Sequence, residues 1–254
     1  MKTFENEQMD SATLARKIAH DQALAARVLR VANSSFYGLE AQISSIKEAV
    51  MVLGSHNVRS IVVSAGIISQ FPAAQRSVFD RLTFWRHSLA AAAHARALAN
   101  RTGHHPETAF TAGLLHDIGR LVLATYFPDE FLWVLEYADA RGCAVIEAEH
   151  AVLGLDHTLA GTELAKRWKF PSAIQQAVAN HHSPDAQPAA PLTDLVYMAN
   201  VICHCRDGGH PEECLAPLLG AGAFARQGLD WAKLEPCLAE ADAQMAGIAL
   251  IIEG

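Results

Sequence analysis

With 254 residues, 51% of them hydrophobic, the chain has enough apolar side chain for a sizeable core, and we expect two intimate lobes rather than one large domain. A formal net charge of −7 argues against a nucleic-acid partner, which needs clustered, unmatched Lys and Arg, and no polybasic membrane patch is present. No apolar run approaches the roughly 18 residues of a bilayer span, and the polar start MKTFENEQMD lacks a signal peptide's apolar stretch, so a cytoplasmic protein is expected.

Helix signals recur along the chain and no clear strand alternation does. Asp10 or Ser11 is placed to cap a first helix through Leu14 and Ile18. Asp21 opens DQALAARVLRVANSS, in which Leu24, Val28 and Val31 share a face and Asn33 falls near the end. Ser45-Ile46-Lys47-Glu48 is a capping box, whose hydroxyl and carboxylate satisfy orphan amides at the start of a short helix that Gly54 ends. VRSIVVSAGIISQF is apolar nearly all round, as a helix central to its lobe should be. At Phe71-Pro72-Ala73-Ala74-Gln75 proline stops that helix and polar residues appear, which sets the lobes at 1–72 and 73–254.

From Asp80 a long helix runs to Gly103 with His87 on its inward stripe. After the His104-His105-Pro106 turn, another carries Phe110, Leu114 and Leu115 into His116-Asp117, and Gly119 is expected to interrupt it. Pro128 and Asp129 open a helix bearing Phe131, Trp133, Leu135 and Tyr137, which Gly142 ends. AVIEAEHAVLG follows, then DHTLAGTELAKRW, with Asp156 as cap and His157 in the first turn. SAIQQAVAN delivers His181-His182 at its C-terminus, and PLTDLVYMANVICHC carries Asn200 on the broad face of Tyr197. An amphipathic segment begins at Trp231, and the fold class expected is all-α. Cys143, Cys203, Cys205, Cys214 and Cys237 are odd in number and irregularly spaced, so we read them as buried reduced thiols. Cys203-His204-Cys205 has no CxxC partner, and its spacing sends the two thiols to different sides of a helix, so no zinc site is expected there.

Chemistry concentrates at Gly113-Leu114-Leu115-His116-Asp117-Ile118-Gly119-Arg120. An unpartnered carboxylate in an apolar interior is costly, so Asp117 should find a cation, a metal or several donors. His87, His116, Asp117, His157, His181 and His182 fall on four or five helices that can converge. Nitrogen and oxygen ligands without thiolates suit iron, manganese, nickel or zinc, and open coordination positions would activate water against a phosphoester. The alternative is a polar core in which Asp117 pairs with Arg120 or a histidinium.

Together HDQALAARVLRVANSSFYG, ISSIKEAVMVLGSHNVRSIVV, FTAGLLHDIGRLVLA, DHTLAGTELAKRW and the His181-His182 pair resemble the HDOD domain, an all-helical bacterial signalling module related to HD and HD-GYP phosphohydrolases. The N-terminal phrases are the more specific, from Asp21 through Asn33-Ser34 to Tyr37-Gly38 and on to Ser44-Ser45-Ile46 and Leu53-Gly54. The resemblance implies a two-lobed helical fold, with metal ligands at His87, His116, Asp117 and, where HD proteins carry an aspartate, Asn200. A neutral carboxamide is the poorer ligand. His157, opening HTLAG, and His181 with His182 resemble the extra histidines of the HD-GYP branch, which would serve a second metal. Arg120 stands at the HD-GYP lysine, and the chain reads Ser183-Pro184-Asp185 where that branch continues into its glutamate and GYP loop. The resemblance therefore implies a non-catalytic signal-transduction output or adaptor module with a degenerate metal site. Its partners would be signalling proteins, in a longer protein fused to or following a receiver or other regulatory domain. The alternative is a metal-dependent phosphohydrolase acting on a nucleotide or cyclic dinucleotide.

Overall fold

Capping side chains fix where several of these helices begin. The computed structural model describes residues 11–33, 43–71, 79–186, 190–209 and 211–248, and every regular element among them is helical. Asp10, the segment from Ser34 to Gly38 and the stretch from Pro72 to Gln75 lie outside the described residues. The chain divides into two compact units, Met1–Pro72 with Asp242–Gly254, and Ala73–Ala241.

The first unit holds α1 (Ser11–Ala19), α2 (Gln22–Ala32), α3 (Ile46–Leu53) and α4 (Ser55–Ile68). Asp21 caps α2 by accepting from the Leu24 N–H at 3.0 Å. The capping box of α3 forms in full: Glu48 N–H donates to Ser45 Oγ and Ser45 N–H to Glu48 Oε2, each at 3.2 Å. Gly54, at φ 79°, ends α3 and α4 starts at the next residue. Leu14, Ile18, Val28, Val31, Val50 and Ile61 are buried, so the apolar faces of the four helices meet in one core.

The second unit holds α5 (Arg81–Thr102), α6 (Pro106–Leu115), α7 (Ile118–Tyr126), α8 (Pro128–Arg141), α9 (Val145–Leu153), α10 (His157–Arg167), α11 (Ser172–Asn180), α12 (Pro191–Asp207), α13 (Pro211–Leu215) and α14 (Gly222–Arg226). The final helix, α15 (Trp231–Ile248), runs past Ala241 into residues grouped with the first unit. Small side chains let the helices of the site come close. The buried alanines of α5 admit α6 so tightly that a Cβ on Gly113 would stand 2.8 Å from Ala92 Cα. Where α7 crosses α10, a Cβ on Gly119 would stand 1.9 Å from His157 O and 2.7 Å from Gly161 N. Gly119 therefore does not interrupt its helix; it lies inside α7 as a contact surface for α10. The break falls one step earlier, at His116-Asp117, where Asp117 takes φ −99° and ψ 9°, the sparsely populated bridge region.

One other expectation fails. Cys205 and Cys214 form a disulfide, because α13 doubles back on the end of α12 and brings their Cα atoms to 5.5 Å; Cys143, Cys203 and Cys237 are free. Trp133 is 56% exposed beside a buried Phe131, since residues two apart on a helix cannot share its inward face. At the far end of α12, the buried Asp194 accepts from Arg226 Nε at 2.9 Å and Nη2 at 2.6 Å and from Gln227 Nε2 at 3.1 Å, which pins α14 to α12.

Candidate metal centre

Helix ends build this site. His116 and Asp117 occupy the break between α6 and α7, His157 is the first residue of α10, His181 and His182 follow the last turn of α11, and His87 and Asn200 project from α5 and α12. All seven side chains come together. His87, His116 and Asp117 form one group and Asp117, His157, His181 and His182 another, each with its ligand atoms within 4.8 Å of one another. Asp117 belongs to both and divides its oxygens: Oδ2 lies 3.7 Å from His116 Nε2, and Oδ1 lies 3.3 Å from Nε2 of both His157 and His181. His87 Nε2 lies 3.3 Å from His116 Nε2 and 3.1 Å from Asn200 Oδ1, and His157 Nε2 lies 3.0 Å from His182 Nε2. His116 and His181 are fully buried, with Asp117 and His157 nearly so.

The outer nitrogens fix where the proton of a neutral ring sits. His116 Nδ1–H donates to Gly113 O at 2.7 Å and His181 Nδ1–H to Val178 O at 2.9 Å; a carbonyl only accepts, so Nδ1 carries the proton and Nε2 a lone pair. His157 Nδ1 meets Glu149 Oε2 at 2.6 Å. Lone pairs on imidazole nitrogen thus face carboxylate oxygens at the centre, an arrangement that needs a positive charge between them. A proton on His87 Nε2 would satisfy its contact with Asn200, and His182 Nε2 can accept from the protonated His157. His181 Nε2 is fully buried and forms no hydrogen bond, with Asp117 Oδ1 at 3.3 Å. An orphaned buried acceptor beside a shared carboxylate, with imidazoles oriented from behind, fits a first-row transition-metal ion.

The titration behaviour agrees. Burial drives His116 well below its ordinary value and lowers His87, each against the pull of Asp117. Burial, with His181 and His157 adjacent, takes His182 down to about 3. Asp117 is held well below the carboxylate range, the surrounding His116, His157 and His181 outweighing its burial. For His157 burial is again overcome, by the Asp117 and Glu149 carboxylates, and the value rises to about 9. Most of the imidazoles are therefore neutral and ready to ligate near pH 7, while His157 holds the proton that an ion would displace.

Residues 1–184 match the HDOD domain. The chain belongs to the HDOD family. Its fold superposes on an HDOD domain protein of unknown function from Geobacter sulfurreducens with a TM-score of 0.82 at 29% identity, covering 99% of this chain and 88% of that one. A candidate phosphohydrolase of Shewanella amazonensis matches with a TM-score of 0.81 at 28% identity, covering 99% and 90%. A response regulator of Methylococcus capsulatus gives 0.53 at 29% identity, covering 94% and 92%. The chain spans 42% and 18% of the length of the first curated relatives it matches.

Two residues at the site lie outside the set expected from the sequence. Glu149 lies in the middle of α9 with no exposure and takes both the backbone N–H and the ring of His157. His204, one helical turn beyond Asn200, brings its ring centroid to 5.1 Å from that of His87. Helical spacing from Asn200 could have found His204. Nothing local distinguishes Glu149 from the exposed Glu147 two residues earlier.

Proposed function

We propose that this HDOD domain is a signal-transduction output or adaptor module that holds a transition-metal ion without hydrolysing phosphoesters. The observation that carries the non-hydrolytic reading is Arg120. It stands where the HD-GYP lysine would meet substrate phosphate, yet its Nη1 donates to Asp117 Oδ2 at 3.1 Å, so its charge serves the shared carboxylate. The segment after the paired histidines is likewise committed, because Asp185 bonds Arg226 of the α12–α14 clamp. A partner would read the state of the centre through the helices it ties together. The likeness to a response regulator supports this signalling role.

His87, His116 and Asp117 would hold one ion, and Asp117, His157, His181 and His182 a second. A metal bound there supplies Lewis acidity and lowers the pKa of bound water. Asn200 presents its carboxamide to His87, and Arg120 neutralises part of the charge of Asp117. The second reading, a metal-dependent phosphohydrolase, is favoured by the donor set itself and by the likeness to the Shewanella amazonensis protein.

The test is metal analysis of protein purified without chelator, paired with turnover of cyclic di-GMP and a generic phosphodiester. We expect bound iron, manganese, nickel or zinc that Asp117→Asn releases, tighter binding in Asn200→Asp through the restored anionic oxygen, and no turnover. Metal-dependent hydrolysis that vanishes in His116→Ala would establish the phosphohydrolase. Protein that takes up none of these ions and melts identically with and without chelator would leave a polar core, with Asp117 paired to Arg120 and the His157 imidazolium.

A further inference from the structure

We propose that Glu149 is the positioning residue of this centre: it sets the tautomer and orientation of the His157 ring and so presents Nε2 to the ion. The proposal rests on the metal-holding reading for its purpose, and on the geometry of α9 and α10 for its substance.

The three buried histidines of the centre solve one problem in two ways. A ligating Nε2 must be free of its proton, so Nδ1 must carry it and needs an acceptor. His116 and His181 each follow the last turn of a helix, and each finds the carbonyl three residues back, Gly113 O and Val178 O, without help from elsewhere. His157 opens its helix. The turn that would precede it does not exist, and the Asp156 carboxylate is used in capping α10, accepting from Leu159 N–H at 2.9 Å and the Thr158 hydroxyl at 2.7 Å. The acceptor must come from another helix, and Glu149 of α9 provides it.

One oxygen does both tasks. Glu149 Oε2 accepts the His157 backbone N–H at 2.9 Å and lies 2.6 Å from Nδ1. The backbone N–H can only donate, so the oxygen is fixed as an acceptor, and the ring turned toward it offers Nδ1–H. Nε2 on the opposite edge then faces Asp117 Oδ1 and His182 Nε2. A carboxylate is a stronger acceptor than the carbonyls behind His116 and His181, so it also raises the basicity of the nitrogen it leaves free.

Stability alone does not account for a glutamate here. The side chain is fully buried and its other oxygen, Oε1, has no partner, a costly arrangement that an apolar residue in the same helix would avoid. The gain lies in what the carboxylate does to His157.

The experiment uses the full chain with 15N-labelled histidine, and compares wild type with Glu149→Leu, Glu149→Gln and, as a control, Glu147→Gln. Long-range 1H–15N spectra report whether His157 Nδ1 bears a slowly exchanging, strongly downfield proton, and Zn2+ titration reports affinity. In wild type and in Glu149→Gln, whose amide oxygen can still face both donors, the Nδ1 proton should be present; in Glu149→Leu it should be lost. Zn2+ affinity should fall roughly 10- to 100-fold in Glu149→Leu and by a smaller factor in Glu149→Gln, with Glu147→Gln unchanged. An unprotonated His157 Nδ1 in wild type overturns the proposal, as does a folded Glu149→Leu with wild-type affinity. Should that variant not fold, unaltered affinity in Glu149→Gln overturns it instead. If wild type takes up no Zn2+, the metal reading fails, and the Nδ1 proton, present in wild type and lost in Glu149→Leu, still decides whether Glu149 sets the ring.

Discussion

Alanine at Gly119 should disrupt the protein far more than one added methyl suggests. The new Cβ would stand 1.9 Å from His157 O, whereas ordinary contact begins at 3.4 Å, so α7 and α10 must part by the difference, 3.4 − 1.9 = 1.5 Å, along that line. Neither side can yield locally, because the atoms met are backbone: His157 O, His157 C and Gly161 N. Overpacking a rigid core typically costs about 1–3 kcal/mol, and a backbone-to-backbone clash belongs at the upper end. Alanine's better helix propensity returns at most about 1 kcal/mol. The net loss of about 2 kcal/mol should lower the melting temperature by roughly 4–8 °C. Separation at this crossing also moves His157 relative to Asp117, so metal uptake should fall together with stability. Circular-dichroism melts of metal-free protein with parallel metal analysis provide the assay. Gly66→Ala is the control, since a Cβ there meets nothing within 4 Å; it should leave the melting temperature unchanged or raise it. A Gly119→Ala protein that melts with wild type and binds metal equally would refute the close-approach argument.

Arg226→Ala should destabilise the second unit by about 2–4 kcal/mol in denaturant unfolding, because it strips the two-point partner from a buried Asp194 and leaves only Gln227. Arg226→Lys should recover less than half of that, lacking the fork that engages both oxygens; a loss under about 1 kcal/mol in the alanine variant would mean the clamp is ornamental. Glu48 gives a pH test in the first unit. Its pKa is lowered from 4.5 by the backbone N–H groups of Ser44 and Ser45, so its contribution to stability is present above 4.5 and lost as pH falls through the folded-state value. Its NMR titration midpoint should lie below 4.5 and Glu48→Gln should remove that limb of the pH–stability curve, whereas a midpoint at or above 4.5 contradicts the capping geometry.

Much of the scaffold was legible because its signals are local. Asp21, Ser45 with Glu48, Asp80 and Asp156 each act within a few residues of where they stand, and each caps the helix that its spacing announces. Signals that depend on distant chain were read less well. Gly119 looked like a breaker because a glycine in a helix usually weakens it, and only the approach of α10 shows why the position tolerates nothing larger. The Cys205–Cys214 bridge depends on α13 turning back on α12, which the irregular cysteine spacing does not encode.

At the site the same distinction separates what was read from what was missed. His116 with Asp117 and His181 with His182 stand out as polar pairs at the ends of apolar helices, and His157 stands beside a visible cap. A helix end is a physically apt place for such residues. The chain there can leave helical geometry, as Asp117 does, and a histidine just after the last turn can use a carbonyl three residues back to hold its own ring. Those supports come with the helix and need no further residue, which is why local reading suffices for them. His157 lacks that support because it begins a helix, so its partner had to come from α9, eight residues earlier in sequence and across a turn in space. A buried polar core asks only that each group be satisfied somewhere. Three imidazoles turned the same way about one carboxylate, by carbonyls in two cases and by a dedicated glutamate in the third, with His181 Nε2 left without a hydrogen bond, meet a stricter demand: that their lone pairs converge on a common point.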